Sequence, residues 1–364
     1  MSIDDETLRI QAQLRIRIDR NVDHTIRLLV QRWAEAWQTV AGDWNTVVET
    51  ILDARDTGKR LTVSQILRTR SALEALAATE EALRSLGQYA GVTITEPLTD
   101  LVTEAAEAQL GLMRSQLPPN DQDTLALRAS VIRADPLQIE AIVRRTTEVV
   151  TSLADDLGER GMAVVRQEIV RGIQLGLNPR ETARRTVIGN RMVQHLEHGF
   201  NLPLNRALII TRTEQIDATR DAAMITQQAN ADLLQGWQWL AQLDTRTCPS
   251  CWAQHGTIHP LEDPGPWDHQ QGRCTRMPVV RPWSELGYDI PEPPSLVPDA
   301  RETFDSLTPA EQTAIMGPRR LGLLQDGTIG WDDLSAVRKT DAWRDSLGVR
   351  PLSDIPAATQ AQAG

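Results

Sequence analysis

The feature that most constrains this chain is the placement of its three cysteines. Cys248 and Cys251 form a C-x2-C, and His269 and Cys274 follow after a loop rich in proline and glycine. Two cysteines separated by two residues can direct their thiolates at one centre from a tight turn, and three sulfurs with one imidazole complete a tetrahedral shell. The spacing therefore predicts a site for structural zinc with the ligands Cys248, Cys251, His269 and Cys274.

The same cysteines are compatible with roles that involve no metal. They fit ordinary small buried groups or a redox pair, and in a metal site His255 or His259 is an alternative to His269 as the nitrogen ligand. Four protein ligands leave no position for water or substrate, so zinc here would be structural rather than catalytic. Without metal, the loop would depend on the packing of Trp252 and Trp267.

Composition favours a folded protein. The chain has 364 residues, enough for two or three domains, and its apolar fraction of 41% and charged fraction of 24% are typical of globular proteins. A net charge of −11 argues against a protein that coats nucleic acid. Three cysteines do not suggest a disulfide framework and fit a reducing compartment. No run approaches the ~20 apolar residues of a membrane span, so we expect a soluble protein that is not secreted by the usual route.

The N-terminal region is predicted to consist of helices. Trp33 and Trp37 stand four residues apart and share one helix face, where such side chains most often pack in a core. Gly42 and residues 57–59 are expected to break these helices, and the proline pair at 118–119 to mark a linker.

The middle of the chain carries clear helix-start signals. Asp135 before Pro136 combines a capping residue with proline at the first helical position. We expect that helix to end at Gly158. Pro179 and Pro203 are predicted to open further helices in the same way.

After residue 229 the hydrophobic period changes. Trp237 and Trp239 alternate with other side chains, which is typical of a strand. Residues 277–283 are predicted to return as a second strand, which their prolines confine to a sheet edge.

The chain is thereby predicted to be mainly α with a small β element (α+β), with a long helical N-terminal part and a C-terminal zinc-loop subdomain. From residue 284 we expect a Pro-rich extended stretch, then helices over 303–315 and 331–347. The predicted segments are a helical N-terminal region (1–118), a helical core (119–229), the β and zinc-loop element (230–283), and the extended stretch with C-terminal helices (284–364).

The order of these motifs is similar to that of a known family. Arg212-Thr-Glu on a helix, Trp239-Leu on a strand, Asp244 to Cys251, and His269 to Cys274 with Pro278 beyond resemble the phage Mu F-like head morphogenesis (minor head) proteins of tailed phages. The resemblance covers roughly residues 135–350. One departure concerns Gly272, which stands where the family has the first cysteine of a C-R-C, so that only Cys274 remains of that pair.

The resemblance implies a non-enzymatic structural protein. Such a minor capsid protein would be associated with the portal inside the procapsid, would assist head assembly, and would contribute to DNA packaging or ejection. Its partners would be the portal protein and the major capsid or scaffold proteins, with phage DNA as a further candidate and no membrane. Its expected location is the virion head, and the host cytoplasm during assembly.

Two further classes of function compete with that of a structural head protein. A DNA-binding zinc protein would use an arginine-rich helix face, although a solvated face explains the same spacing; that face comprises Arg180, Arg184, Arg185 and Arg191. A nuclease is less favoured, because no histidine follows Cys274 to complete a catalytic metal site.

An ADP-ribosyltransferase using Arg212 and Glu214 is also less favoured. We instead expect these two residues and Arg220 to form salt bridges, on the helix surface or from helix to loop, that orient the loop near Asp244. The pair Asp155-Asp156 is predicted to lie on a solvated face rather than to act in catalysis.

Overall fold

The computed structural model describes residues 3–59, 61–119, 124–176, 185–340 and 343–355. Helices predominate in these ranges and two small antiparallel sheets accompany them, which confirms the predicted class, mainly α with a small β element. No helix within these ranges has the length and apolar character needed to cross a membrane.

The helices fall into long ones in the first two thirds of the chain and short ones after it. They are α1 (Asp5–Asp56), α2 (Val63–Ile66), α3 (Arg70–Thr95), α4 (Leu98–Ser115), α5 (Leu125–Ala129), α6 (Pro136–Gly176), α7 (Arg185–Gln228), α8 (Pro249–Gln254), α9 (Ala300–Asp305), α10 (Pro309–Met316) and α11 (Pro318–Gln325). The strands are β1 (Leu234–Leu240), β2 (Ile258–His259), β3 (Thr275–Val280), β4 (Ser335–Thr340) and β5 (Trp343–Val349).

The chain forms two compact units, each assembled from separate segments. Unit 1 comprises Met1–Asp19, Thr99–Val143 and Ile216–Gly364, and unit 2 comprises Arg20–Leu98 and Arg144–Gln215. Helices α1, α6 and α7 each contribute residues to both units. The division into four consecutive segments stays a prediction.

Unit 2 is a helical body around an apolar core. Trp33 is buried there, and Trp37 packs against Phe200 with ring centroids 5.5 Å apart, so the predicted core role of this helix face is confirmed. Trp44 is also buried, and its indole N–H donates to Thr79 Oγ1 at 2.9 Å. This bond stabilises the buried indole of Trp44, since an unpaired N–H in a core is costly.

Two glycines predicted as helix breaks lie inside helices instead. Helix α1 passes through Gly42 and ends only near residue 57, and α6 passes through Gly158. A Cβ at Gly158 would lie 3.5 Å from the backbone of Arg84, an ordinary van der Waals contact, and a Cβ at Gly42 would meet no atom within 4 Å. Both predictions were wrong because glycine inside a helix costs only about 1 kcal/mol relative to alanine, which the packing of a long helix outweighs.

Pro203 also lies inside a helix rather than at its start, which corrects the prediction. Its ring faces Gly161 of α6, where a Cβ would come within 2.7 Å of the Pro203 Cγ. Packing in this core thus offsets the backbone hydrogen bond that proline removes. The helix start predicted at Pro179 lies outside the described residues.

Unit 1 contains the three-stranded sheet, with strand order β2-β1-β3 and both pairs antiparallel. Trp237 of β1 is opposite His259 on one side and Pro278 on the other. The predicted strand at Trp237 and Trp239 is confirmed, and the proline-containing return strand lies at an edge as expected. Gln116, at the end of α4, covers that edge: its Nε2 donates to the Pro278 carbonyl at 2.8 Å and its Oε1 accepts from the Val280 N–H at 3.1 Å.

The predictions for the C-terminal part are correct only in some places. Residues 284–287 form turns instead of the predicted extended chain, whereas residues 288–298 form no helix or strand. Short helices follow as predicted, but the helix predicted over 331–347 is wrong. A 3-10 turn at Asp332–Leu334 leads there into the hairpin β4–β5. Leu334 is fully buried in a cluster with Trp252, so contacts with a distant part of the chain override the local helical signal.

Candidate metal centre

The C-x2-C lies at the start of helix α8. Cys248 is the N-terminal capping residue, Pro249 occupies the first helical position, and the Cys248 Sγ accepts from the Cys251 N–H at 3.4 Å. A helix start holds these two cysteines on one turn, so both sulfurs face the same region. Cys251 and Cys274 are buried, Cys248 is half-buried, and all three are free thiols.

The predicted ligands meet around Cys251. Among the described residues, potential metal-binding atoms within 4.8 Å of one another form two overlapping groups; these are Cys248 with Cys251 and His269, and Cys251 with Asp268 and Cys274. The His269 Nε2 lies 3.8 Å from the Cys251 Sγ, while its Nδ1 lies 2.8 Å from the Gln270 carbonyl oxygen. The backbone carbonyl thus fixes the ring so that Nε2 faces the sulfurs.

The two alternative histidines have different contacts. His255 Nδ1 lies within hydrogen-bond distance of the Ala241 backbone N and O, at 3.1 and 3.2 Å. His259 stacks on Trp237 with centroids 4.4 Å apart, and its Nε2 lies 2.9 Å from Thr257 Oγ1. Neither histidine joins the thiol groups in the part of the chain that the structure describes.

The electrostatics of the thiols favour a cation at this place. The hydrogen bond from Cys251, together with His269, lowers the pKa of Cys248 to about 5 against the effect of burial. The same Cys248 thiolate raises the pKa of His269 to about 9. Cys251 has a raised pKa because Cys248, Cys274 and burial all disfavour another negative charge. A cation would relieve this repulsion, and three sulfurs with one imidazole are the donor set that suits Zn²⁺.

A buried arginine anchors the ligand loop to helix α7. Arg220 donates to both carboxylate oxygens of Asp268, at 2.8 and 2.7 Å, and to the Cys274 carbonyl at 2.6 and 3.0 Å. It also bonds Asp217 one turn earlier, at 2.8 Å. Burial alone would lower the pKa of Arg220, but the Asp268 and Asp217 carboxylates outweigh it and raise the pKa.

The predicted role of Arg220 as a helix-to-loop ion pair is therefore confirmed, but its loop is 268–274 rather than the loop near Asp244. Asp244 pairs instead with Arg273, which donates to both of its oxygens at 2.9 and 2.7 Å. Burial would raise the pKa of Asp244, but the bonds from Arg273 and Thr247 lower it to about 2.

Gly272 and Asp268 fit each other closely. A Cβ at residue 272 would lie 1.9 Å from the Asp268 Oδ2, so a cysteine cannot stand there while Asp268 keeps its place beside Arg220. The missing cysteine of the C-R-C pattern thus coincides with a buried carboxylate. Sequence reasoning missed Asp268; the available signal was an aspartate next to a candidate ligand, with a glycine at the position expected to hold cysteine.

Two sets of candidate residues remain. Asp155 is exposed on α6, in agreement with the predicted solvated face, whereas Asp156 is partly buried, and neither belongs to the groups of potential metal-binding atoms. Arg180 and Arg184 lie outside the described residues, as does the side chain of Arg185, so the arginine-rich face stays a prediction.

Comparison with known proteins finds a family that matches part of this chain. Residues 163–277 match the family model of phage Mu protein F like proteins. This segment includes α7, the three-stranded sheet up to Met277 and all four predicted ligands. The resemblance to that family is confirmed over this segment. The match supports the expectation of a phage head morphogenesis protein. Comparison with curated proteins and with solved structures finds no match.

Proposed function

We propose that the protein assists assembly of a tailed-phage head as a minor capsid protein at the portal, without enzymatic activity. The match of residues 163–277 to the phage Mu F-like family is the observation that carries the proposal. The portal protein is the proposed main partner, with the major capsid or scaffold proteins as further contacts and DNA packaging or ejection as the process it serves. Before incorporation into the virion, the protein would be in the host cytoplasm.

Zinc is the second part of the proposal. Cys248, Cys251, His269 and Cys274 would bind one Zn²⁺, which supplies structural cross-linking of the loop when bound. Free thiols, two of them buried, and a histidine held with Nε2 toward the sulfurs support this set. The loop between them is rich in proline and glycine and forms little secondary structure, so metal affinity would become folding free energy of the loop, on the order of 10 kcal/mol.

The assembly proposal is tested by expressing the protein with the portal protein and, separately, with the major capsid protein of the same phage. We expect co-purification with portal rings and recovery of the protein in procapsids in low copy number. Absence from procapsids, with no binding to the portal, would contradict it. Binding to duplex DNA that weakens steeply with salt would instead favour the DNA-binding zinc protein, because phosphate contacts release counterions.

The metal proposal is tested by elemental analysis of the purified protein together with a thiol titration. About one zinc per chain with unreactive thiols is expected. Replacement of zinc by Co²⁺ should give the absorption bands of a tetrahedral thiolate site, and His269→Ala should change them, whereas His259→Ala should not. A metal-free protein with three freely reactive thiols would exclude the site.

A further inference from the structure

The hairpin β4–β5 lies outside the segment that matches the family, yet it contacts both halves of the candidate metal centre. One half is helix α8 with Cys248 and Cys251, and the other is the loop with His269 and Cys274. The hairpin and the centre belong to the same compact unit.

Strand β5 contacts the ligand loop through a charged side chain and the backbone. Arg344 donates to both oxygens of Asp217, at 2.9 and 2.7 Å, and to the Asp268 carbonyl at 3.3 Å. The Leu347 N–H donates to the Trp267 carbonyl at 2.6 Å. Trp267 and Asp268 directly precede His269, so these bonds fix the backbone that presents the histidine.

Arg344 also completes a row of alternating charges. Asp217 accepts from both Arg344 and Arg220, and Arg220 in turn holds Asp268 and the Cys274 carbonyl. The row links β5, α7 and the ligand loop. Such charge-assisted bonds are stronger than neutral ones, and their partial burial limits screening by solvent.

Strand β4 contacts the other half of the centre. The Ser335 hydroxyl lies 2.9 Å from the hydroxyl of Ser250, a residue that stands between the two cysteines of the C-x2-C in the sequence. The Gln254 amide also donates to the Ser335 hydroxyl, at 3.3 Å. Leu347 packs at the edge of the cluster that contains Cys251 and Cys274. The hairpin therefore bridges the two segments that a bound ion would join.

We propose that the hairpin Ser335–Val349 is a clamp that retains the metal, with Arg344 as its positioning residue. This inference rests on the zinc site of the proposed function. A metal held by four ligands from two chain segments is released when the segments separate, so a third element that holds both segments slows release. Arg344 acts on the centre through its bonds to the Asp217 carboxylate and the Asp268 carbonyl.

The test measures zinc transfer from the loaded full-length protein to an excess of a chromophoric chelator. We expect Arg344→Gln to accelerate transfer about tenfold, because it removes charge-assisted hydrogen bonds of a part-buried side chain. Arg344→Lys keeps the positive charge but loses the guanidinium group that bonds both carboxylate oxygens at once, so it should give an intermediate transfer rate. Ser335→Ala tests the contact with α8 independently and should also accelerate transfer. Arg338→Gln, at an exposed position of the same hairpin, is the matched control and should keep the wild-type rate.

The melting temperature of each variant is also measured from its helical signal. A general loss of stability would lower the melting temperature of the Arg344 and Arg338 variants alike. A wild-type transfer rate for Arg344→Gln would overturn the clamp, as would equal acceleration by Arg344→Gln and Arg338→Gln. A wild-type protein that binds no zinc would refute the metal part of the proposed function and the clamp together. A wild-type protein that binds zinc while Arg344→Gln has no effect would refute the clamp alone.

Discussion

The pair Arg220 and Asp268 is deeply buried, with 7% and 1% of the two side chains exposed. A buried pair of this kind is costly to desolvate, and breaking it leaves an uncompensated charge. Its position explains why it is tolerated: the arginine also satisfies the Cys274 carbonyl, and thereby ties a candidate ligand to α7. The pair thus serves to position the loop.

Gly272→Ala is predicted to damage this arrangement. The new Cβ would overlap the Asp268 carboxylate, which two bonds from Arg220 hold in place, so the ion pair must be distorted or broken. We expect a loss of about 3 kcal/mol in the free energy of unfolding, measured by urea denaturation.

The control for that variant is Gly322→Ala on helix α11. Residue 322 is exposed, and a Cβ there would meet no atom within 4 Å. The control should stabilise the helix by up to ~1 kcal/mol. Equal effects of the two substitutions would show that the Asp268 contact does not constrain residue 272.

Zinc affinity is predicted to rise with pH. In the metal-free protein His269 has a pKa of about 9 because of the Cys248 thiolate, and Cys251 has a raised pKa, so both carry protons at pH 7. Metal must displace these protons, and binding therefore weakens as the pH falls. Chelator competition between pH 6 and 9 should show affinity increasing across the whole range. An affinity independent of pH would contradict a site that contains His269 and Cys251.

At one edge of the three-stranded sheet, a side chain makes the backbone hydrogen bonds that a further strand would make. The Gln116 amide donates to and accepts from the backbone of β3. A side chain of the same unit thus occupies backbone groups at the edge of the sheet. Exposed edges invite pairing with other chains. Gln116 removes that possibility at the strand that follows the ligand loop.

Gln116→Ala is predicted to destabilise unit 1 by roughly 2–4 kcal/mol, because two buried backbone groups lose their partners. Gln31→Ala is the control, since Gln31 is exposed and bonds only to its neighbour Glu35 within α1. It should change the unfolding free energy by less than ~0.5 kcal/mol. Urea denaturation of both variants, followed by tryptophan fluorescence, checks the difference.

The elements that the sequence predicts well are those whose signal is local. The alternation around Trp237 and the proline of β3 are properties of a few neighbouring residues. The first strand forms where its signal predicts it, and β3, at Thr275–Val280, overlaps the predicted return strand 277–283. The prediction at the hairpin is wrong because the conformation there depends on partners far along the chain, Ser250 and Trp267. The prediction at Gly158 is wrong because the packing of a long helix outweighs the small cost of one glycine.

The same distinction applies to the candidate centre. The four predicted ligands are recognisable from spacing, whereas Asp268 and Arg344 are not. Asp268 acquires its role only from Arg220, 48 residues earlier. Arg344 acquires its role from Asp217, 127 residues earlier.

At the scale of the whole chain, the candidate metal centre belongs to one of two compact units. The cluster around Trp237, Trp239 and the cysteines lies in unit 1, and the large helical core with Trp33 and Trp44 lies in unit 2. The two cores share no residue. All four proposed zinc ligands belong to unit 1.

Removal of zinc is accordingly predicted to loosen unit 1 selectively. After treatment with a chelator, or in Cys248→Ser, residues 240–280 should lose protection from hydrogen exchange, because the loop depends on metal to join α8 to His269 and Cys274. Peptides from α3, in the core of unit 2, should keep their protection. Ser353→Ala, a substitution at an exposed position of unit 1, is the control and should leave both sets unchanged. Hydrogen exchange measured by mass spectrometry separates the outcomes. Simultaneous loss of protection in 240–280 and in α3 would mean that the units unfold as one. Protection in 240–280 that survives both treatments would mean that ion pairs such as Arg220 with Asp268 hold the loop without zinc.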